Sequence, residues 1–394
     1  MRSRRQLLAG SAGLIAAGLA GCTGSGGSSE PSSGAGSGGE NETTTTTTEE
    51  PESDTSYTVE MRPHGEFAFD AVPETYGVLD SAYLDMGVAL GVQPAAAVGL
   101  ERAPLKYYES LDGATLDTDE VTALGGDGGY EKSAFVDADA DVWLADPRHL
   151  SETTDWSDAD IEEVESETGP FVGSSIEFGP EANAEPESVY TLYEAFEKVA
   201  AVFGREQQFR TWQSLNLNVT GSINDALPGE DQRPTVAAIG PDVDPESGEF
   251  HVQPLGELQN NTKSYRRVGM QDAFAGNYPD GPVGYDDLLE VDPDYIGVVG
   301  ALTTSTHEEF VSDVVEPFEN HERGGELSAV QNGNVIRSGG QFMGPIVDLY
   351  STEAVAKMVY PETFGEWPGA VGEVPEGERL FERQLVSDVI TQNF

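Results

Sequence analysis

The run from Val189 to Phe203 constrains this chain more than any other segment. Val189, Leu192, Tyr193, Phe196, Val199, Ala200 and Phe203 are apolar at offsets of 0, 3, 4, 7, 10, 11 and 14. That spacing puts all seven on one face of an α-helix and calls for a partner to cover them. Pro186, Glu187 and Ser188 supply a helix start. Helical composition resumes after Gly204 and continues to about Leu227, with the glycine as the place where a break would fall. The spacing therefore predicts a long connecting helix over 186–227, flanked by two parts that it must hold together.

Both flanking parts read as alternating strands and helices, the pattern of α/β lobes with largely parallel sheets. In the first, over 57–185, strands are expected at Tyr76–Asp80, Ala95–Gly99, Ala140–Ala145 and Gly169–Gly173, with a helix over Tyr83–Leu90. In the second, over 228–394, strands are expected at Pro234–Ile239 and Tyr295–Val299, and helices at Tyr285–Glu290, Val311–Phe318, Val347–Val359 and Leu380–Thr391. Asn332-Gly333 reads as the turn of a β-hairpin over Val330–Ile336. The halves also share a phrase: Asp139-Ala140-Asp141 and Asp292-Pro293-Asp294 each stand before a strand. Two similar lobes would explain the echo; common Asp-X-Asp turns in an acid-rich chain are the alternative.

The N-terminus reads as an address. Arg2, Arg4 and Arg5 precede an apolar stretch from Leu7 to Gly21 that is too short to span a bilayer. Ser3-Arg4-Arg5-Gln6-Leu7-Leu8 looks like a twin-arginine export signal, expected over 1–21. Leu19-Ala20-Gly21-Cys22 resembles a lipobox, so Cys22, the sole cysteine, is the expected lipidation site. A linker rich in Gly, Ser and Thr runs over 22–56, with too few apolar residues to fold. Its Gly34-Ala35-Gly36-Ser37-Gly38-Gly39 matches a dinucleotide fingerprint but has no strand before it and is discarded. The expected location is the outer face of the cytoplasmic membrane, held by lipid alone.

Charge removes further classes. Acids number 71 against 20 Lys and Arg, a formal charge of −51. Nucleic-acid binding and attachment to anionic lipid both need clustered cations and are excluded. The balance resembles that of proteins from salt-accumulating halophiles; an ordinary acidic secreted protein is the alternative. In molar salt the Debye length falls to ~3 Å and self-repulsion largely disappears. No GxSxG, HExxH, CxxC or Walker loop occurs, and His64, His149, His251, His307 and His321 show no ligand-like spacing. Neither enzyme chemistry nor a resident cofactor is expected.

Several phrases in this order resemble one family. Val72-Pro73-Glu74-Thr75-Tyr76-Gly77-Val78-Leu79-Asp80 looks like its opening strand and Asp141-Val142-Trp143-Leu144 like its "PDLV" strand. Tyr285–Asp294 looks like the second-lobe counterpart, Ala329–Val335 like its "AVKNGRVY" segment and Tyr360–Phe364 like its terminal "YPE-F". The chain is similar over Tyr57 to its C-terminus to the helical-backbone substrate-binding lipoproteins of ABC importers, of the ferric-siderophore and vitamin B12 type. The resemblance implies two Rossmann-like α/β lobes joined by a backbone helix, with a ligand cleft between them. It implies a monomer that captures an Fe(III)-siderophore, or else cobalamin or haem, and delivers it to a permease and its ATPase. A non-transport envelope interaction module is the alternative from another class. It also implies one docking acid per lobe, Asp286 and, in a less regular register, Glu131, since family spacing would select Ser133.

Ligands of such sheets bind beyond the carboxyl ends of the strands. That rule selects Tyr83, Arg102, Tyr107 and Arg148 in the first lobe, and Tyr265, Arg266, Arg267 and Phe342 in the second. Arginine suits anionic chelates through planar donors and ring stacking. Each arginine has the alternative of pairing with an acid, and each aromatic that of packing in the core.

Overall fold

The structure, a computed structural model, describes residues 56–100, 103–125, 130–174, 176, 189–256, 259–279, 281–340 and 343–394. Cys22, the export signal and the linker lie outside these residues, as do Arg102 and Phe342.

The chain first makes an antiparallel hairpin, β1 (Tyr57–Met61) and β2 (Gly65–Phe69). The first lobe holds a parallel sheet of β3 (Tyr76–Val78), β4 (Pro94–Val98), β5 (Thr122–Leu124) and β6 (Val142–Leu144), in the order β5-β4-β3-β6. The second holds β7 (Thr235–Ile239), β8 (Gln271–Asp272), β9 (Tyr295–Val298) and β10 (Val335–Arg337), in the order β10-β9-β7-β8, again parallel. Parallel neighbours need crossover connections, and the intervening helices supply them. β3 and β7 hold equivalent places: each has the strand after the Asp-X-Asp phrase on one side and its own successor on the other. Phe171 bridges Trp143 beside β6 where β10 lies beside β9, so the equivalence extends one step further.

The shared phrase has one physical role in both lobes. The helices Lys132–Ala138 and Tyr285–Val291 end on Asp139 and Asp292, whose φ angles of 49° and 37° are left-handed. Asp tolerates that conformation better than most residues because its short side chain bonds locally. Two residues later, Asp141 Oδ2 accepts from Thr75 N at 3.0 Å and Thr75 Oγ1 at 3.1 Å, just before β3. Asp294 Oδ2 accepts from Thr235 N at 2.8 Å and Oγ1 at 3.0 Å, at the start of β7. The threonine oxygen accepts the aspartate N–H in return in each case. One clasp, built twice, sets the register between neighbouring strands.

The connecting segment is two helices rather than one. Leu192–Val202 ends in a turn at Gly204, whose φ of 60° favours a residue without Cβ, and Glu206–Ala226 comes next. Arg205 N closes the first helix on the Ala200 carbonyl. The apolar face over 189–203 therefore packs back on its neighbours, and the rod that links the lobes is 206–226. At ~1.5 Å per residue its 21 residues extend about 31 Å. Near its start, Trp212 Nε1 and Gln208 Nε2 donate to the Ala89 carbonyl of the first lobe. Further along, Asn216 Oδ1 accepts from Arg267 of the second lobe at 2.6 Å.

Residues 330–336 are not a hairpin. A short helix, Ser328–Gln331, turns at Gly333 (φ 72°) into β10, which pairs parallel to β9. The rest of the core is arranged in three apolar clusters. One fills the outer side of each lobe, and the largest lies between them, joining the hairpin, Ser81–Ala89, both connecting helices, Pro345–Val359 and Arg383–Ile390. Pro345–Val359 is buried at every residue except Met358. Its buried acids are therefore matched: Asp348 to Arg267 and Glu353 to Arg383.

Candidate functional site

The carboxyl ends of the two sheets meet at one interlobe face. The helix Leu105–Tyr108, which comes after β4, touches the segment after β9: Tyr107 Oη lies 3.0 Å from Thr303 Oγ1, and Lys106 Nζ donates to the Ser305 carbonyl at 3.4 Å. Ser110 Oγ bonds the Tyr350 hydroxyl of the second lobe. After β3, Asp85 Oδ2 accepts from Ile346 N at 2.8 Å and Val347 N at 3.2 Å, capping the helix that comes after β10. Gly344 permits this approach, because a Cβ there would sit 2.4 Å from the Asp85 Cβ. These contacts place the loops that ligand-binding sheets use against one another.

Four residues expected at a ligand turn out to be structural. Tyr83 is 1% exposed, and its hydroxyl donates to the Ser174 carbonyl at 2.7 Å and accepts from Ser174 N at 2.9 Å. Tyr107 is fully buried, edge-on to Tyr350 at 5.6 Å. Tyr265 is fully buried beneath β9, where a Cβ on Gly297 would meet its hydroxyl at 2.4 Å. Arg267 is held by Asp348 Oδ2 at 2.6 Å, Asn216 and Thr352. Lys263, beside it, stands 3.8 Å from the same carboxylate and 4.8 Å above the Tyr193 ring; burial pulls its ammonium down to about 7. The dense Lys263–Arg267 run therefore neutralises a buried acid from another element.

The others are nearer solvent. Arg148 is half-exposed and its Nε lies 3.0 Å from Asp146 Oδ1, the carboxylate that also caps Pro147–Thr153 and meets His64 Nε2 at 3.2 Å. Although burial opposes it, hydrogen bonds from His64 and Arg148 hold Asp146 well below the usual carboxylate range. Arg266 is half-buried and donates to the Gln259 carbonyl at 2.8 Å. Asp286 is exposed and lies 3.0 Å from Arg323 Nε. Glu131 is exposed too, but it precedes its helix whereas Asp286 is the second residue within the matching one. Counting back from the left-handed aspartates puts Ser133, not Glu131, at the place of Asp286.

Two cations that the sequence reading passed over stand at the interlobe face. Lys106 is half-buried, and burial together with the charge of Arg337 pulls its ammonium down to about 8. Arg337, at the carboxyl end of β10, is 3% exposed and donates to the Ser305 and Gly369 carbonyls at 2.9 and 2.6 Å. The two share the Ser305 carbonyl. Among the described residues neither lies within ion-pair distance of a carboxylate. In a chain with 71 acids for 20 bases, that is a signal in itself. Arg337 was findable as the cation closing the Asn334–Arg337 strand; Lys106 had no mark beyond the rarity of lysine.

No protein-family model matches this sequence, and no curated protein does. Solved structures share the fold. A periplasmic binding protein from Veillonella parvula aligns with a TM-score of 0.55 and 14% identity over 78% of this chain and 91% of its own. The petrobactin-binding protein YclQ from Bacillus subtilis gives 0.55 and 16%, over 77% and 98%. Staphylococcus aureus SirA, complexed with staphyloferrin B, gives 0.54 and 11%, over 77% and 98%. The chain thus has the two-lobed α/β fold of periplasmic binding proteins. Among the described residues no helix is long and apolar enough to cross a membrane.

Proposed function

We propose that this chain is the substrate-binding component of an ABC importer, which captures an anionic Fe(III)-siderophore between its lobes and delivers it to a permease. The observation that carries this reading is the meeting of both sheets' carboxyl ends at a face bearing Lys106 and Arg337, neither within ion-pair distance of a carboxylate among the described residues. Cations hydrogen-bonded to neutral backbone carbonyls in a low-dielectric seam favour an anion arriving from solution. The named cargoes of YclQ and SirA, petrobactin and staphyloferrin B, support it. In this reading the protein is a monomer without chemistry of its own, exported through the twin-arginine route and lipidated at Cys22. Asp286 in the second lobe, and Glu131 or Ser133 in the first, face the permease.

Tryptophan-fluorescence titration in molar salt with ferric siderophores, cobalamin and haem tests the cargo. A ferric chelate bearing carboxylates is expected to quench, and Lys106→Met to weaken it more than tenfold, the loss of one charge-assisted bond. Quenching by cobalamin or haem alone, or none at all, would overturn the assignment. The acid excess gives a further expectation: circular dichroism should show structure lost as salt is dialysed from molar to millimolar levels, and a flat titration would remove the halophilic reading.

A further inference from the structure

The amino ends of the first lobe's strands border a crevice of about 410 Å³. Its lining comes from the segment just before β3, the segment just before β4, and the turn between the two connecting helices. The length of the strands separates it from the interlobe face, which the carboxyl ends form. Pro73, Val92 and Phe203 make a buried apolar floor. Val72, 49% exposed, is a wall, so the crevice offers apolar surface to solvent.

Glu74 and Arg205 are the ionisable side chains of the lining. They lie beyond ion-pair distance of each other, and among the described residues neither side chain has a hydrogen-bond or ion-pair partner. The Glu74 N–H is tied to Asp141 at 2.9 Å, but its carboxylate is exposed and reachable. The Arg205 guanidinium is half-buried, and burial makes an unmatched charge costly. In a chain with 71 acids for 20 bases, an arginine without a carboxylate stands out. Arg205 also precedes Glu206–Ala226 without capping it, so the positive end of that helix dipole lies beside the guanidinium. The crevice therefore holds one free charge of each sign over an apolar floor.

We propose that this crevice is a second binding site, for a free α-amino acid with an apolar side chain, its carboxylate accepting from Arg205, its ammonium donating to Glu74 and its side chain lying on Pro73, Val92 and Phe203. A bare carboxylate would leave Glu74 unmatched and a bare amine would leave Arg205 so, whereas the zwitterion satisfies both. The site does not depend on the identity of the cargo.

Ligand-observed NMR on the whole protein in molar salt tests it with three probes: L-leucine, 4-methylpentanoate, which lacks the ammonium, and 3-methylbutylamine, which lacks the carboxylate. Leucine is expected to bind about tenfold more tightly than either analogue, the worth of one charge-assisted bond. Arg205→Gln should weaken leucine about tenfold and leave the amine unchanged. Glu74→Gln should weaken leucine about as much and leave 4-methylpentanoate unchanged, its backbone bond to Asp141 being kept. Both substitutions are at partly or fully exposed positions, and circular dichroism of each variant should be that of the parent. No iron chelate enters the experiment, so its failure is separate from failure of the transport reading. An analogue that binds as tightly as leucine, no binding of leucine at millimolar concentration, or leucine binding indifferent to either substitution would each overturn the proposal.

Discussion

Arg267→Met should cost this protein about 3–5 kcal/mol of folding stability, the loss expected when one partner of a buried ion pair is removed. Asp348 is fully buried on a helix that lies between the lobes, and its shortest contact to a cation is with Arg267 at 2.6 Å. Lys263, at 3.8 Å, is the remaining cation, and burial already favours its neutral form. Methionine fills most of the space of the arginine stem, so the loss reads electrostatics and hydrogen bonds rather than a cavity. The bond to Asn216 goes as well, and with it a tie between the second lobe and the connecting rod. The double variant Arg267→Met with Asp348→Leu should recover most of the loss, because an apolar pair of similar volume avoids desolvating two charges. Denaturant unfolding in molar salt measures both. A single-variant loss below about 1 kcal/mol would contradict the structural role and leave Arg267 free to meet a ligand.

That example shows where sequence reasoning stopped. Local relations were legible: the clasp of Asp141 on Thr75 and of Asp294 on Thr235 is prepared by two short phrases. So were the strands β3, β4, β6, β7 and β9, whose apolar runs are continuous because both faces of a parallel sheet are covered. Relations between distant residues were not. Lys263–Arg267 reads as a cationic patch until Asp348, far along the chain from Arg267, is placed beside it. Tyr83, Tyr107 and Tyr265 stand after strand ends as ligand residues do, but a phenol is amphipathic and packs as readily as it binds. Gly204 was visible as a possible break, yet only its left-handed φ shows that 192–202 and 206–226 are separate helices. Asn332-Gly333 signals a tight turn, and the turn is there; β10, on its far side, pairs with β9 rather than with Ser328–Gln331. In each case the local chemistry was right and the partner lay elsewhere in the chain.

Asp85→Asn should make the protein more stable at pH 8, although Asp85 clamps the lobes together. Burial pushes the Asp85 carboxyl from its ordinary 3.8 up to about 7, and the nearby charge of Asp348 adds to the rise. The groups facing it include the Ile346 and Val347 N–H groups, the Tyr108 hydroxyl, the buried Tyr76, Tyr107 and Tyr193, and the Asp348–Arg267–Lys263 cluster. Between about pH 4 and 7 the native state holds a proton here that the unfolded chain has lost, so stability falls as pH rises through that window. Above about 7 the carboxylate is ionised in both states and the loss stays level, at most about 4 kcal/mol. Asparagine keeps an acceptor for the two helix N–H groups and never ionises. The variant should match the parent near pH 4, gain on it through pH 7, and keep that advantage above. Lys263 titrates near 7 in both proteins with the opposite trend, because burial has lowered it and stability returns as pH rises from about 7 towards 10.5; it cancels in the difference between the two curves. Denaturant unfolding from pH 4.5 to 8.5 in molar salt gives that difference directly. A gap that does not change with pH, or a variant less stable than the parent at pH 8, would mean that the ionised carboxylate holds the lobes together by more than its burial costs.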